Sequence, residues 1–230
     1  MNFFGEVGTA GYAHIFLFCI LLPIVAVRSA KKLELMPYPP RLRFYLSVVP
    51  QHIFFIAISV AVAYYEFIPL HFASLDIKKS IWLSALLLLA MVPVMSTRWR
   101  KSVIDREKKA FLFMPQGKKE KILWLVISTL AGIGEEITYR GVMWILLSRL
   151  TGSYWGAALI ASAVFALSHY MQGWKSIGAI MLFALVFHVL VWYTGSLIEA
   201  IIVHTVYDMI AGMAYGYLGR KYDYPMEGVG

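Results

Sequence analysis

The chain alternates long apolar runs with short polar stretches. Seven runs are nearly free of charge, at about 10–27, 45–65, 81–95, 122–148, 155–169, 177–194 and 197–214. Runs of this length predict membrane-spanning helices. The expected fold is therefore all-α, a polytopic transmembrane bundle of about seven spans, with a range of six to eight. The fourth run is the longest: Ile122 to Ser148 is 27 residues, roughly 40 Å as a helix against a hydrocarbon core of about 30 Å. It must tilt, kink or project, and Gly132 and Gly134 are natural places for a kink or a close helix contact. Tyr193-Thr194-Gly195-Ser196 reads as a tight turn, which makes the last two spans an antiparallel pair.

Composition agrees with that pattern. Of 230 residues, 60% are apolar and 15% charged, with mean hydropathy +0.69. Soluble domains carry about 25% charged residues, so a typical cytosolic enzyme, a disordered tail and a coiled coil are excluded. The one cysteine, Cys19, excludes a disulfide within the chain and argues against a Cys-centred metal site. The first run lacks a basic stretch before it, so it reads as a retained span rather than a cleaved signal.

The net charge of +8 would suit a nucleic-acid binder, but the positions of the charges point elsewhere. When the loops are numbered alternately, one side holds 17 of the 21 basic residues, among them Arg28, Arg41, Arg98, Lys109, Lys119 and Lys221. The other side holds Lys78, Lys79 and Arg149, and Arg140 lies within a span. The positive-inside rule makes the rich side cytoplasmic, with the N-terminus outside and the C-terminus inside. All seven tryptophans fall near span ends, where an indole is half apolar and half wet. The expected partners are the lipid bilayer and a membrane-associated peptide or protein, with no nucleic acid. A prokaryotic cell membrane is the expected location.

The chain reads as one membrane domain, 1–230, in three parts. Residues 1–97 are an N-terminal three-span part, 98–121 a basic cytoplasmic link and 122–216 the part that carries the chemistry. The link contains Phe111-Leu112-Phe113-Met114, expected either on the anionic inner leaflet or in a solvated loop. The tail from Arg220, with Pro225, Gly228 and Gly230, is expected to fray.

Ionisable groups inside a bilayer cost several kcal/mol unless paired or hydrated, and so mark candidate functional sites. The last part holds Glu135, Glu136, Arg140, His169, His188, Glu199, His204 and Asp208 in or beside its spans. The first part has only His14 and His52 in comparable positions. Glu136 and Arg140 stand four apart, in the order that favours an ion pair. Glu135 then points about 100° away, free to face a cavity and serve as a general base. His204 and Asp208 also stand four apart on one face. His14, His52 and His188 read as packed, hydrogen-bonded histidines, and Glu199, close after the last turn, as interfacial.

Three elements in order, Glu135-Glu136 with Arg140, Phe165 with His169, and His204 with Asp208, match EExxxR, FxxxH and HxxxN/D on successive helices. This pattern resembles the CPBP family of intramembrane proteases, which includes the type II CAAX prenyl endopeptidases and bacteriocin-processing or self-immunity proteins (the ABI family). The resemblance covers about residues 122–216. It implies an intramembrane endopeptidase that hydrolyses a peptide bond in a membrane-associated substrate, either prenylated and CAAX-type or leader- or bacteriocin-type. It implies Glu135 as main general base, His169 holding and polarising the water, and His204 and Asp208 stabilising the oxyanion or orienting the water. Glu136 and Arg140 would support Glu135. An ionised Asp208 cannot donate to an oxyanion, so the favoured role is accepting the N–H of His204. Higher activity in Asp208→Asn would count against that role.

A metal-free glutamate mechanism, with no cofactor, is expected over a zinc one, because HExxH is absent and the ligands would come from three helices. Were a metal bound, Glu135, His169 and His204 would hold it. No GxSG nucleophile motif for a serine mechanism is present. The alternative outside catalysis is a membrane scaffold or a small proton- or ion-coupled transporter using the same buried cluster.

Overall fold

A computed structural model describes residues 5–37, 39–72 and 77–225. Helices dominate: α1 (Thr9–Leu35), α2 (Arg41–Tyr65), α3 (Ile77–Ile104), α4 (Gly117–Thr151), α5 (Tyr154–Ser168), α6 (Ile177–Thr194) and α7 (Ile198–Lys221). Every one except α5 is long and apolar enough to cross a membrane. Their outer faces carry exposed Phe16, Ile20, Leu86, Leu89, Leu182 and Trp192, a surface suited to lipid. The chain is an integral, multi-pass membrane protein with an all-helical fold.

The bundle is organised around α4. Over half of its most apolar stretch is buried, against a third or less in the other five spans. It lies between α2 and α7, while α7 also packs on α3, and α5 packs on α6, α1 and the second half of α4. Polarity follows position: as the central helix, α4 can carry Glu135, Glu136 and Arg140 because other helices, not lipid, surround them.

Gly132 and Gly134 set the distances to its neighbours. A methyl group on Gly132 would overlap the Thr205 side chain of α7 and lie 3.0 Å from the Thr205 backbone nitrogen. One on Gly134 would lie 3.2 Å from Ile56 and 3.5 Å from the carbonyl oxygen of His52 on α2. So the two glycines serve as close-contact points on two sides of α4. Just beyond them the helix widens into a π-helical segment, Glu136–Met143, a device frequent at functional sites.

The α4–α5 connection is short. Gly152 ends α4 in the left-handed conformation (φ 63°) and the Ser153 hydroxyl caps α5 by accepting from the Gly156 N–H. Gly195 ends α6 in the same way (φ 67°) before α7. Near the α4–α5 connection, the Glu66 carboxylate accepts from the N–H groups of Gly8 and Gly11, at 3.0 and 2.7 Å. A residue that follows α2 thus satisfies two free donors at the start of α1. Arg149 of α4 donates to the Glu66 carbonyl and lies 3.6 Å from its carboxylate, which ties three helix ends together.

Three expectations are corrected here. Phe111-Leu112-Phe113-Met114 lies neither on a leaflet nor in a solvated loop. Leu112 and Met114 are fully buried, Phe111 packs in the same cluster, and the Tyr45 hydroxyl donates to the Leu112 carbonyl at 2.9 Å. The apolar patch is a plug at the basic end of the bundle. The tail does not fray at Arg220: α7 runs through Lys221, and the buried Tyr224 donates its hydroxyl to the Glu107 carbonyl at 3.0 Å. Gly228 and Gly230 lie outside the described residues. Glu199 is buried rather than interfacial, and accepts from the Ser80 hydroxyl at 2.8 Å.

Candidate active site

Glu135 stands at the junction of the α-helical and π-helical parts of α4, midway along the helix. Three imidazole Nε2 atoms surround its carboxylate. His52 of α2 approaches Oε1 at 3.4 Å, His169 approaches Oε2 at 3.4 Å, and His204 of α7 approaches Oε2 at 3.7 Å. Among the described residues, Oε2 has no hydrogen-bond partner although it is buried.

Each ring is fixed through its other nitrogen. Nδ1 of His52 donates to the Val48 carbonyl at 3.1 Å, and Nδ1 of His169 to the Phe165 carbonyl at 2.8 Å. A carbonyl only accepts, so in both rings Nδ1 carries a hydrogen and Nε2 is the nitrogen presented to Glu135. His169 follows the last residue of α5, off the helical path (φ −91°, ψ 18°), with its ring 4.3 Å from that of Phe165. That contact explains the FxxxH spacing: Phe165 supports the ring by its face and orients it by its carbonyl.

His204 is held differently. Its Nδ1 lies 2.7 Å from Oε1 of Glu136, and the same oxygen accepts from Arg140 at 3.1 Å. Arg140 also donates to the Ala184 carbonyl at 3.2 Å and stacks over Phe165 and Phe187. Glu136 and Arg140 are both wholly buried. Further hydrogen bonds offset the cost of burying such a pair, and His204 and the Ala184 carbonyl supply two of them, while among the described residues Oε2 of Glu136 and Nε of Arg140 have no partner.

The geometry changes the expected role of Asp208. Its Oδ2 is 3.7 Å from Nε2 of His204, beyond hydrogen-bond reach, whereas Glu136 takes the Nδ1 hydrogen. Glu136 orients His204. Asp208 stands with its carboxylate partly exposed, and its carbonyl accepts from the Trp124 indole at 2.9 Å.

All six expected site residues are brought together. The sequence reading missed His52, which it treated as a packed histidine of the first part. His14 and His188 do pack in the interior, His14 3.1 Å from the Ser59 hydroxyl and His188 donating to the Ala184 carbonyl at 2.9 Å. The periodicity of α2 could have singled out His52, since it falls in register with Tyr45, Phe55, Ser59 and Val62 on the buried face.

Two cavities meet at this cluster. The larger, of about 420 Å³, runs between α1, α2, α4 and α7. Leu22, Val25, Phe44, Phe113, Trp124 and Ile127 give it apolar walls, and Glu135, His52, His169 and Asp208 also line it. The smaller, of about 40 Å³, is bounded by Arg140, His169, His204 and Asp208. That is room for about one water, beside several polar groups. Among the described residues, no group of three or more His, Cys, Asp or Glu is arranged to hold a metal ion.

The three motif elements meet here, with the Glu135 carboxylate between His169 and His204. Residues 118–210 match the Rce1-like family model, type II CAAX prenyl endopeptidase. The Rce1-like segment begins at the start of α4 and ends within α7, so it contains Glu135, Glu136, Arg140, His169, His204 and Asp208. The match falls within the family that the motifs resemble, a family of membrane proteases. His52 and the α1–α2 wall of the large cavity lie outside the Rce1-like segment. No curated protein and no solved structure matches the chain.

Proposed function

We propose that the chain is an intramembrane endopeptidase in which Glu135 activates water without a metal. The observation that carries this reading is the Glu135 carboxylate, whose Oε2 has no hydrogen-bond partner among the described residues, set between imidazoles at the wall of a cavity large enough for a peptide segment with an apolar group. The substrate is a membrane-associated peptide, CAAX-type by the family match, whose lipid-like portion lies against the apolar walls. The excess of basic residues on one set of loops supports a cytoplasmic position for the end of the bundle plugged by Leu112 and Met114, with the N-terminus outside.

In the reaction, Oε2 of Glu135 takes a proton from water as the oxygen attacks the carbonyl carbon of the scissile bond. His169, through Nε2, holds that water. His204, oriented by Glu136, presents Nε2 to the oxygen on which negative charge develops and, when protonated, donates to it. The carbon–nitrogen bond then breaks and the proton passes from Glu135 to the leaving amine. Asp208, at the edge of both cavities, accepts from the water or from a substrate N–H. Arg140 pairs with Glu136 and holds it in place.

The test compares peptide termini in membranes containing the wild-type protein or Glu135→Gln at equal abundance, with a farnesylated CAAX reporter peptide and its unprenylated counterpart added. New termini that depend on Glu135 are the expected result, with the farnesylated reporter cut faster. Identical termini in the two membranes, with both proteins folded, would refute the proposal.

A further inference from the structure

The family match leaves the first 117 residues without a role in the chemistry. One side chain from that region nevertheless reaches the centre of the site. His52 lies on α2, nearly buried, and its Nε2 is 3.4 Å from Oε1 of Glu135. Gly134, the residue before Glu135, faces α2 at this level: a methyl there would crowd the Ile56 side chain at 3.2 Å and meet the His52 carbonyl oxygen at an ordinary 3.5 Å. The ring cannot turn away without losing the bond from Nδ1 to the Val48 carbonyl, and Phe55 packs beside it.

The two oxygens of Glu135 therefore have different surroundings. Oε1 faces His52 and Oε2 faces His169 and His204. A carboxylate without a fixed partner rotates about its last bond and presents either oxygen. Rotation here would carry Oε1 away from His52.

We propose that His52 is a positioning residue for Glu135: as an imidazolium, with a hydrogen on each ring nitrogen, it donates from Nε2 to Oε1, fixes the carboxylate plane and leaves Oε2 as the oxygen that takes the proton from water. This rests on the reading of Glu135 as general base. His52 also forms part of the cavity wall with Val48, Gln51 and Phe55, so a wall role and a positioning role must be separated by experiment.

Two amides do so. A glutamine at 52 puts an amide N–H near the place of Nε2, within reach of Glu135. An asparagine puts one near the place of Nδ1, where it bonds the Val48 carbonyl but falls short of Glu135. The measurement is kcat and KM on the farnesylated reporter for wild type, His52→Leu, His52→Asn, His52→Gln and Glu135→Gln, each normalised to folded protein. His52→Leu and His52→Asn are expected to lose about 10–100-fold in kcat with KM within about twofold, since misplacing a reacting group by an ångström costs on that order. His52→Gln is expected to recover most of the loss.

A leucine variant with wild-type kcat, a loss confined to KM, or a glutamine variant no faster than the asparagine one would each overturn the inference while leaving Glu135-dependent cleavage intact. Should the leucine variant fail to fold, the comparison of glutamine with asparagine decides alone. Wild-type turnover equal to that of Glu135→Gln would overturn both the inference and the function on which it rests.

Discussion

Gly132→Ala adds one methyl group where α4 touches α7. The new carbon would overlap the Thr205 side chain, and would stand 3.0 Å from the Thr205 nitrogen and 3.2 Å from the Ile201 carbonyl. The side chain can rotate away; the backbone atoms cannot. Ordinary contact at about 3.5–4.0 Å requires the two helices to separate by roughly 0.5–1 Å at that level. Thr205 adjoins His204, so the separation acts directly on the 2.7 Å contact between His204 and Glu136, and stretches it to the edge of hydrogen-bond reach. Overpacking of this kind costs about 1–3 kcal/mol in stability, and an ångström of misplacement about 100-fold in rate. The assay pairs thermal unfolding in detergent with reporter cleavage. Gly132→Ala is expected to fold, to melt lower and to lose about 10–100-fold in kcat. Adding Thr205→Ala should recover part of the stability and little of the rate, because the backbone contact remains. A Gly132→Ala protein with wild-type kcat would show that His204 does not need its distance to Glu136, and the site as described would be wrong.

Glu136→Gln removes the charge that holds both Arg140 and His204, and is expected to destabilise the fold by about 3–5 kcal/mol, since a buried arginine is left uncompensated. Chemical denaturation of the purified protein measures it, and Glu135→Gln, which leaves the Glu136–Arg140 pair intact, serves as the control. Glu66→Ala strips two backbone donors of their acceptor at the start of α1. A loss of about 1–3 kcal/mol is expected, with kcat per folded molecule unchanged because the residue is remote from the cluster; hydrogen exchange at Gly8 and Gly11 localises the effect. Prolonged incubation with a zinc chelator should leave reporter cleavage unchanged. Activity lost to the chelator and restored by added metal would replace the metal-free mechanism.

The long helices were legible because bilayer thickness leaves few other uses for runs of such length and apolarity. The convergence of Glu135 and His169 was also legible when counted from the turn that joins their helices. Glu135 lies 17 residues before Gly152 and His169 lies 17 after it. In an antiparallel pair joined by a tight turn, equal counts mean equal heights, so the turn was the right origin. The partner of His204 was misjudged because spacing along one helix favours Asp208, while the shorter contact comes from Glu136 on another helix, brought near by Gly132. His52 was missed for a related reason: the periodicity of α2 puts it on the buried face but does not name the carboxylate it meets there. The plug at 111–114 was misplaced because an apolar patch amid lysines reads alike whether it faces lipid or the interior.

The π-helical segment of α4 has a consequence for how this helix tolerates change. A π turn is an α-helix carrying one surplus residue, and one residue is worth about 100° of rotation. The stretch ending at Glu135 and the stretch from Trp144 to Thr151 are thus two rods clutched together at an offset. Deleting a single residue from 137–143 would remove the offset and turn one rod against the other. Either the carboxylates would keep their histidines while Trp144 and Leu147 swung off the packed core, or the reverse. No substitution within either rod compensates for that twist; only a residue reinserted within the π-helical segment would.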